Sequence, residues 1–421
     1  MNCSVVIFDN VHGKRDVAIV DSDYLPDCFF INNHISTSFA DLAEQTKYTY
    51  AKHLLFSYRY FNSKAIDLPE RASMGTFLTR EEYEDFKTHC KYRVESDFDD
   101  SCNVASFSRF SDKQLDNWIY ATQSSSERVG AYTLKERLRL FLGYMQYLYK
   151  TYHCSNIPPV EISHYFLSFE RMIKEDIKNI KDENYDVKDP LEQVIPDEVF
   201  FEMLEIIKPS NPNNPWKGSK LRNQLIVNIF IETGIRKGAL AKLKSSNVKN
   251  DAHGFRIIIT RTPNDVTDKR RLRASQKTKP HSSAISEETF DLIELYIETE
   301  RVKYSESQSH DFILVSEKGN TAGEHLSVLS INYVIKSLSN ALKFELTPHL
   351  FRHKWNELFD EKASAAGYSS EQIEDIRKYA MGWDEDSKMG SIYNEFKHAL
   401  KVHELSAQRQ KDTMPRSLKH D

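Results

Sequence analysis

The stretch TPHLFRHKW, residues 347–355, sets a histidine and an arginine three positions apart where a helical pattern begins. Thr347 is a favourable N-cap and Pro348 suits the first helical position. His349 and Arg352, at i and i+3, then share one face, while Leu350, Phe351, Trp355 and Leu358 can turn toward a core. Two cationic or hydrogen-bonding groups at the positive end of a helix dipole suit an anion such as phosphate. Taken alone, the pair also reads as a satisfied surface cluster.

Other residues that can do chemistry lie on either side. In IETGIRKGALAKL, Gly234 closes one helical pattern and Arg236 stands just before the next. An arginine at so sharp a turn can point into a cleft or make an ordinary surface salt bridge. DKRRLRASQKTKP crowds Lys269, Arg270, Arg271, Arg273, Lys277 and Lys279 into one segment. That is a solvated charged loop or a contact for the backbone of a polyanion. MGWDEDSKMGSIYNEF puts Trp383 ten residues before Tyr393. In isolation Trp383 reads as core, and Tyr393 is one of 21 tyrosines.

The elements that must position these groups can be read from periodicity. Residues 1–37 hold SVVIF and DVAIV around DNVHGKR, a hairpin-like pair. Residues 38–175 read as helical, with Tyr50, Leu54, Leu55, Tyr58 and Phe61 on one stripe and Leu134, Leu138, Phe141, Leu142, Met145 and Leu148 on another. Thr79 with Glu82, and Thr133 with Glu136, have capping-box spacing. Residues 176–196 are polar and carry Pro190 and Pro196, as a linker would. Beyond them EVFFEMLEII, KLRNQLIVNIFIE and SEETFDLIELYIETER read as helices, FRIIIT and FILVS as strands, and ASQKTKPHSSAIS as a further strand candidate. There is no internal repeat.

Composition narrows the class. The 421 residues are 40% hydrophobic and 28% charged, as in an ordinary globular chain with room for two or three domains. Five cysteines without a CxxC pair favour neither a disulfide framework nor a zinc site, and fit a reducing cytoplasm. MNCSVVIFDNVHGK has no signal-peptide pattern, and no apolar run is long enough for a bilayer. A net charge of −5 requires any nucleic-acid contact to come from local basic patches.

The order of the motifs is more informative than any one of them. TGIR, QKT, HLFRH, GW and IY follow one another over residues 197–400 and resemble the tyrosine recombinase (phage integrase) family. The resemblance implies a mainly α fold with a small antiparallel sheet, in which a helical core-binding domain and an α/β catalytic domain grip duplex DNA as a clamp. It implies domain bounds of 1–37, 38–175, 176–196 (linker), 197–400 (catalytic) and 401–421 (tail), the tail docking onto a neighbouring subunit. It also implies a homotetramer on double-stranded recombination sites, room for a host DNA-bending factor, a nucleoid-associated cytoplasmic enzyme of a mobile element, and neither metal nor nucleotide cofactor.

By the same resemblance Tyr393 attacks phosphorus to give a 3′-phosphotyrosine, and Arg236 and Arg352 clamp the non-bridging oxygens. His349 and Trp383 add hydrogen bonds, and Lys277 protonates the leaving 5′-oxygen, with Lys279 its rival. Lys269, Arg270, Arg271, Arg273 and Lys279 would hold the DNA backbone. The sequence departs from the family at Ala239, where an acidic residue is usual, and in FDEKASAAGYSSEQIED, which lengthens the stretch between HLFRH and GW. A type IB topoisomerase and a catalytically silent DNA-binding regulator are the alternatives to a recombinase.

Overall fold

The computed structural model describes residues 3–10, 14–93, 128–154, 157–181, 194–262, 265–274, 276–387, 390, 401–403 and 405–410. The chain divides into two units, Met1–Asp186 and Val187–Asp421, with the division inside the 176–196 segment. Most of that segment, and the end of the 401–421 tail, lie outside the described residues.

In the first unit, β1 (Ser4–Asp9) and β2 (Arg15–Val20) pair antiparallel, with Val5 opposite Ile19 and Ile7 opposite Val17. β-Branched residues favour that pleated surface, and Val17 and Ile19 are buried. The hairpin packs with α1 (Phe29–Ser38) and α2 (Glu44–Ser63), and shares one core with the helices that follow. These are α3 (Leu68–Met74), α4 (Arg80–His89), α5 (Ala131–His153) and α6 (Val160–Asn179). Both apolar stripes face inward: Phe61 of one and Phe141 of the other meet Phe86 of α4, with ring centroids 4.6–5.4 Å apart. Thr79 and Glu82 form the expected capping box. Thr133 and Glu136 do not, because α5 starts two residues earlier, at Ala131 after Gly130.

The second unit is built around α8 (Lys220–Thr233), preceded by α7 (Asp197–Ile206). Leu225, Ile226, Val227, Ile229 and Phe230 are all completely buried and no residue of the helix is exposed, so its polar residues, Arg222 and Asn223 among them, are covered as well. After the short α9 (Lys237–Ala241) comes an antiparallel sheet in the order β3 (Val248–Asp251), β4 (Gly254–Ile259), β5 (His281–Ala284). Next come α10 (Glu287–Thr299), α11 (Val328–Leu342), α12 (Pro348–Ala365) and α13 (Ser370–Ala380). α12 packs on α8, with Phe351 stacked on Phe230 at 5.7 Å.

Two strand expectations change. Among the described residues of ASQKTKPHSSAIS, His281–Ala284 alone is strand, paired with Arg256–Ile259. FILVS is not a strand: Phe312 and Val315 each make one isolated bridge, to Lys244 and His325. Phe312–Val315 are at most 1% exposed, and a short apolar run buried on every side has no period that identifies a strand.

Candidate active site

Two left-handed glycine turns and one helix start build the site. α8 ends at Gly234, whose φ of +58° is costly for any residue with a side chain. A Cβ there would also lie 3.0 Å from Met381 Cε and from Trp355 Cγ. Arg236 follows as the partly exposed N-cap of α9. The second turn is Gly382, with φ +60°, where a Cβ would come within 2.5 Å of His281 Nδ1 and 2.6 Å of the Lys279 carbonyl oxygen. Trp383 follows it, 6% exposed and clustered with Met381 and Trp355.

Arg352 joins these turns. It is 2% exposed, and donates from Nη1 to the Gly234 carbonyl at 2.8 Å and from Nη2 to the Met381 carbonyl at 3.2 Å. Its guanidinium carbon stands 5.6 Å from the centre of the Trp383 ring. A planar five-donor group bonded to two carbonyls has its orientation set by them. One side chain of α12 therefore fixes the turn that delivers Arg236 and the turn that delivers Trp383.

His349 stands on the same helix, exposed to solvent and edge-to-face with His353 at 4.7 Å. Thr347 is the N-cap residue of α12 in extended conformation, although its hydroxyl makes no capping hydrogen bond. Enclosure of the His349 ring by its neighbours, then the charges of Arg352 and Arg236, hold its pKa below the ordinary value. Burial, followed by His349 and Arg352, pushes His353 down to about 4. Both shifts favour the neutral imidazole.

His281 is a member of the site that sequence reasoning missed. It begins β5 opposite Ile259, is 7% exposed, and its Nδ1 lies 2.9 Å from the Lys279 carbonyl oxygen. Burial, then Arg352 and Arg236, lower its pKa too, so both arginines act on His281 as they do on His349. Nothing in HSSA marks this residue. Only the close approach of Gly382 brings it in.

The lysine segment meets the second turn through its backbone. The Lys279 amide donates to the Gly382 carbonyl at 2.8 Å, while its ammonium is 3.3 Å from the exposed Asp384 carboxylate. Lys277 and Lys279 are both exposed, and Gln276 and Thr278 are buried, so the lysines share a side as their spacing implies. Lys269 and Arg271 are exposed, and Arg273 is partly so, with its Nε donating to the Asp268 carbonyl at 3.2 Å. Arg270 does not fit the expectation of a DNA-facing cation. Its side chain is 7% exposed and bonded to Asp268, Ala241 and Leu326. A buried carboxylate attracts the nearest guanidinium inward, where it also satisfies backbone carbonyls. Tyr393 lies outside the described residues.

Neither departure from the family pattern disturbs this arrangement. Ala239 is 6% exposed within α9. The longer stretch is the end of α12, a turn and the start of α13, and the buried Arg377 of α13 joins the two helices through Asp360, while also pairing with Glu374 of its own helix at 3.0 Å.

Residues 199–397 match the phage integrase family. That region, just under half of the chain, is a phage integrase domain, the domain with which tyrosine recombinases break and rejoin DNA. No curated protein matches it. Among solved structures it is similar to the XerH site-specific recombinase bound to palindromic difH substrate, at 17% identity over 72% of this chain and 73% of that one, with a TM-score of 0.46. The Tn1549 transposon integrase with circular intermediate DNA gives 12%, 75%, 87% and 0.37 for the same quantities. A lambda integrase dimer on a COC′ core site gives 14%, 68%, 90% and 0.32. No helix among the described residues is long and apolar enough to cross a membrane.

Proposed function

We propose that Tyr393 is the nucleophile of this recombinase, and that the chain integrates or excises a mobile element by cleaving duplex DNA through a 3′-phosphotyrosine. The observation that carries the reading is the convergence of Arg236, Arg352 and His349 on two positive-φ turns and one helix start. The Tyr393 oxygen forms a bond to phosphorus as the bond to the 5′-oxygen breaks, and the stored phosphodiester energy allows the reverse step. Arg236 and Arg352 hold the non-bridging oxygens and stabilise the added charge of the pentavalent transition state. Neutral His349 accepts a hydrogen bond from the phenol or gives one to phosphate, and the Trp383 indole serves only as a donor. Lys277 protonates the departing 5′-oxygen. Exposed Lys269, Arg271 and Lys279, with Arg273, neutralise backbone phosphates. Four protomers synapse two DNA sites, and a host DNA-bending factor shapes them.

A nicked suicide duplex, which loses its 5′-hydroxyl fragment after cleavage, tests this reading. The chain should accumulate as a covalent adduct on DNA carrying its own site. Absence of adduct on every recovered site sinks the proposal, and relaxation of plasmid lacking any such site identifies a topoisomerase instead.

The acid is tested by making it unnecessary. A bridging 5′-phosphorothiolate has a sulfur leaving group that departs without protonation. Lys277→Ala should cleave ordinary DNA on the order of a hundredfold more slowly, and the sulfur substrate at close to the unaltered rate. Lys279→Ala should cleave both normally, with weaker and salt-sensitive binding. Rescue confined to Lys279→Ala transfers the role to Lys279.

A further inference from the structure

The chain between β4 and β5 carries Lys277, and none of its described residues pairs in the sheet, so other contacts must hold it. Its first half is tied down repeatedly. Lys242 donates to the Thr262 carbonyl. Lys244 Nζ bonds Thr267 Oγ1 at 2.9 Å and Asp265 Oδ2 at 3.1 Å. Asp268 is completely buried and accepts at Oδ1 from Arg270 Nε at 2.8 Å and from the Arg270 amide at 3.1 Å, with His325 Nε2 at 3.4 Å.

Arg270 extends outward from that carboxylate. Its Nη2 donates to Ala241 O at 2.8 Å, its Nη1 donates to Leu326 O at 3.2 Å, and its guanidinium lies 5.2 Å from the centre of the Phe312 ring. Ala241 is the last residue of α9, the five-residue helix whose N-cap is Arg236. Leu326 is buried just before α11. A single guanidinium therefore bonds the helix that delivers Arg236 to the connection that delivers Lys277. Between Arg270 and Lys277, Ala274 and Gln276 are buried.

We infer that Arg270 is a positioning residue which, held by Asp268, sets Lys277 against the Arg236 phosphate clamp and does not itself touch DNA. This rests on the proposed acid role of Lys277. A general acid delivers its proton only within hydrogen-bonding reach of the leaving oxygen, so slackening this connection harms proton delivery before it harms phosphate binding. Arg270→Lys keeps a charge beside Asp268, but one ammonium cannot reproduce the fork to Ala241 and Leu326. Arg270→Gln removes the charge as well.

The test is single-turnover cleavage of ordinary and 5′-phosphorothiolate duplexes by the full chain, with duplex affinity measured across a salt series. Arg270→Lys should cleave ordinary DNA about tenfold more slowly, Arg270→Gln more slowly still, and both should approach the unaltered rate on the sulfur substrate. Affinity and its salt slope should not change. Equal losses on both substrates would make Arg270 a general scaffold residue. A smaller salt slope would make it a phosphate contact, and unaltered cleavage of ordinary DNA would remove any role; each result overturns the inference. If Arg270→Gln does not fold, Arg270→Lys decides alone. Lys277→Ala runs alongside. Rescue of that variant without rescue of Arg270→Lys defeats only the positioning role, whereas no rescue of Lys277→Ala defeats the acid assignment and this inference with it.

Discussion

Tyr393→Phe abolishes adduct formation on the suicide duplex and leaves duplex affinity nearly unchanged. Only the attacking oxygen is removed, and phenylalanine keeps the volume and shape of the ring. Loss of a nucleophile eliminates most of the chemical acceleration, so cleavage should fall by on the order of 10⁴-fold or more. Gel-resolved covalent complex measures the first effect, and equilibrium binding at fixed salt the second. Adduct that persists in Tyr393→Phe moves the nucleophile elsewhere. Tyr379 and Tyr368, 67% and 50% exposed, are then the tyrosines to replace next.

Arg352→Lys and Arg236→Lys each cost on the order of a hundredfold or more in single-turnover cleavage, the usual scale for losing a preorganised donor to transition-state charge. Charge is kept in both, so encounter with DNA should change little. What is lost is the planar fork. The two variants separate in a second measurement. Arg352 also holds the Gly234 and Met381 carbonyls, which one ammonium cannot do from the same buried place, so Arg352→Lys lowers thermal stability as well. Arg236 is partly exposed at the start of α9, and Arg236→Lys should melt near the unaltered chain. Normal cleavage by either variant removes that arginine from the clamp.

Residue types and their order carried most of what could be read about chemistry. Clamping a phosphate suits forked cations, and TGIR and HLFRH show them without tertiary knowledge. Helices with strong periodicity were equally legible: the Leu134–Leu148 face and the capping box at Thr79 follow local rules that the folded chain obeys. The second box, at Thr133, obeyed the same spacing but not the helix start, since two further residues before it are also helical.

The sequence by itself determined which groups are available, their order along the chain, and which neighbours three or four residues apart share a helix face. Tertiary structure alone decided which of those groups face solvent and which meet. Arg270 and Arg271 are adjacent in a basic run, yet a buried Asp268 draws one guanidinium inward while the other stays exposed. His281 joins the site only because Gly382 has no Cβ to hold its ring away. FILVS is apolar enough for a strand, but its backbone bonds pass from Leu243 to Leu326 and Glu324, so neither partner follows it for more than one bridge. The physical reason is common to all three. Helical periodicity is a property of neighbours in sequence, whereas burial, ion pairing and sheet formation depend on partners that only the folded chain supplies.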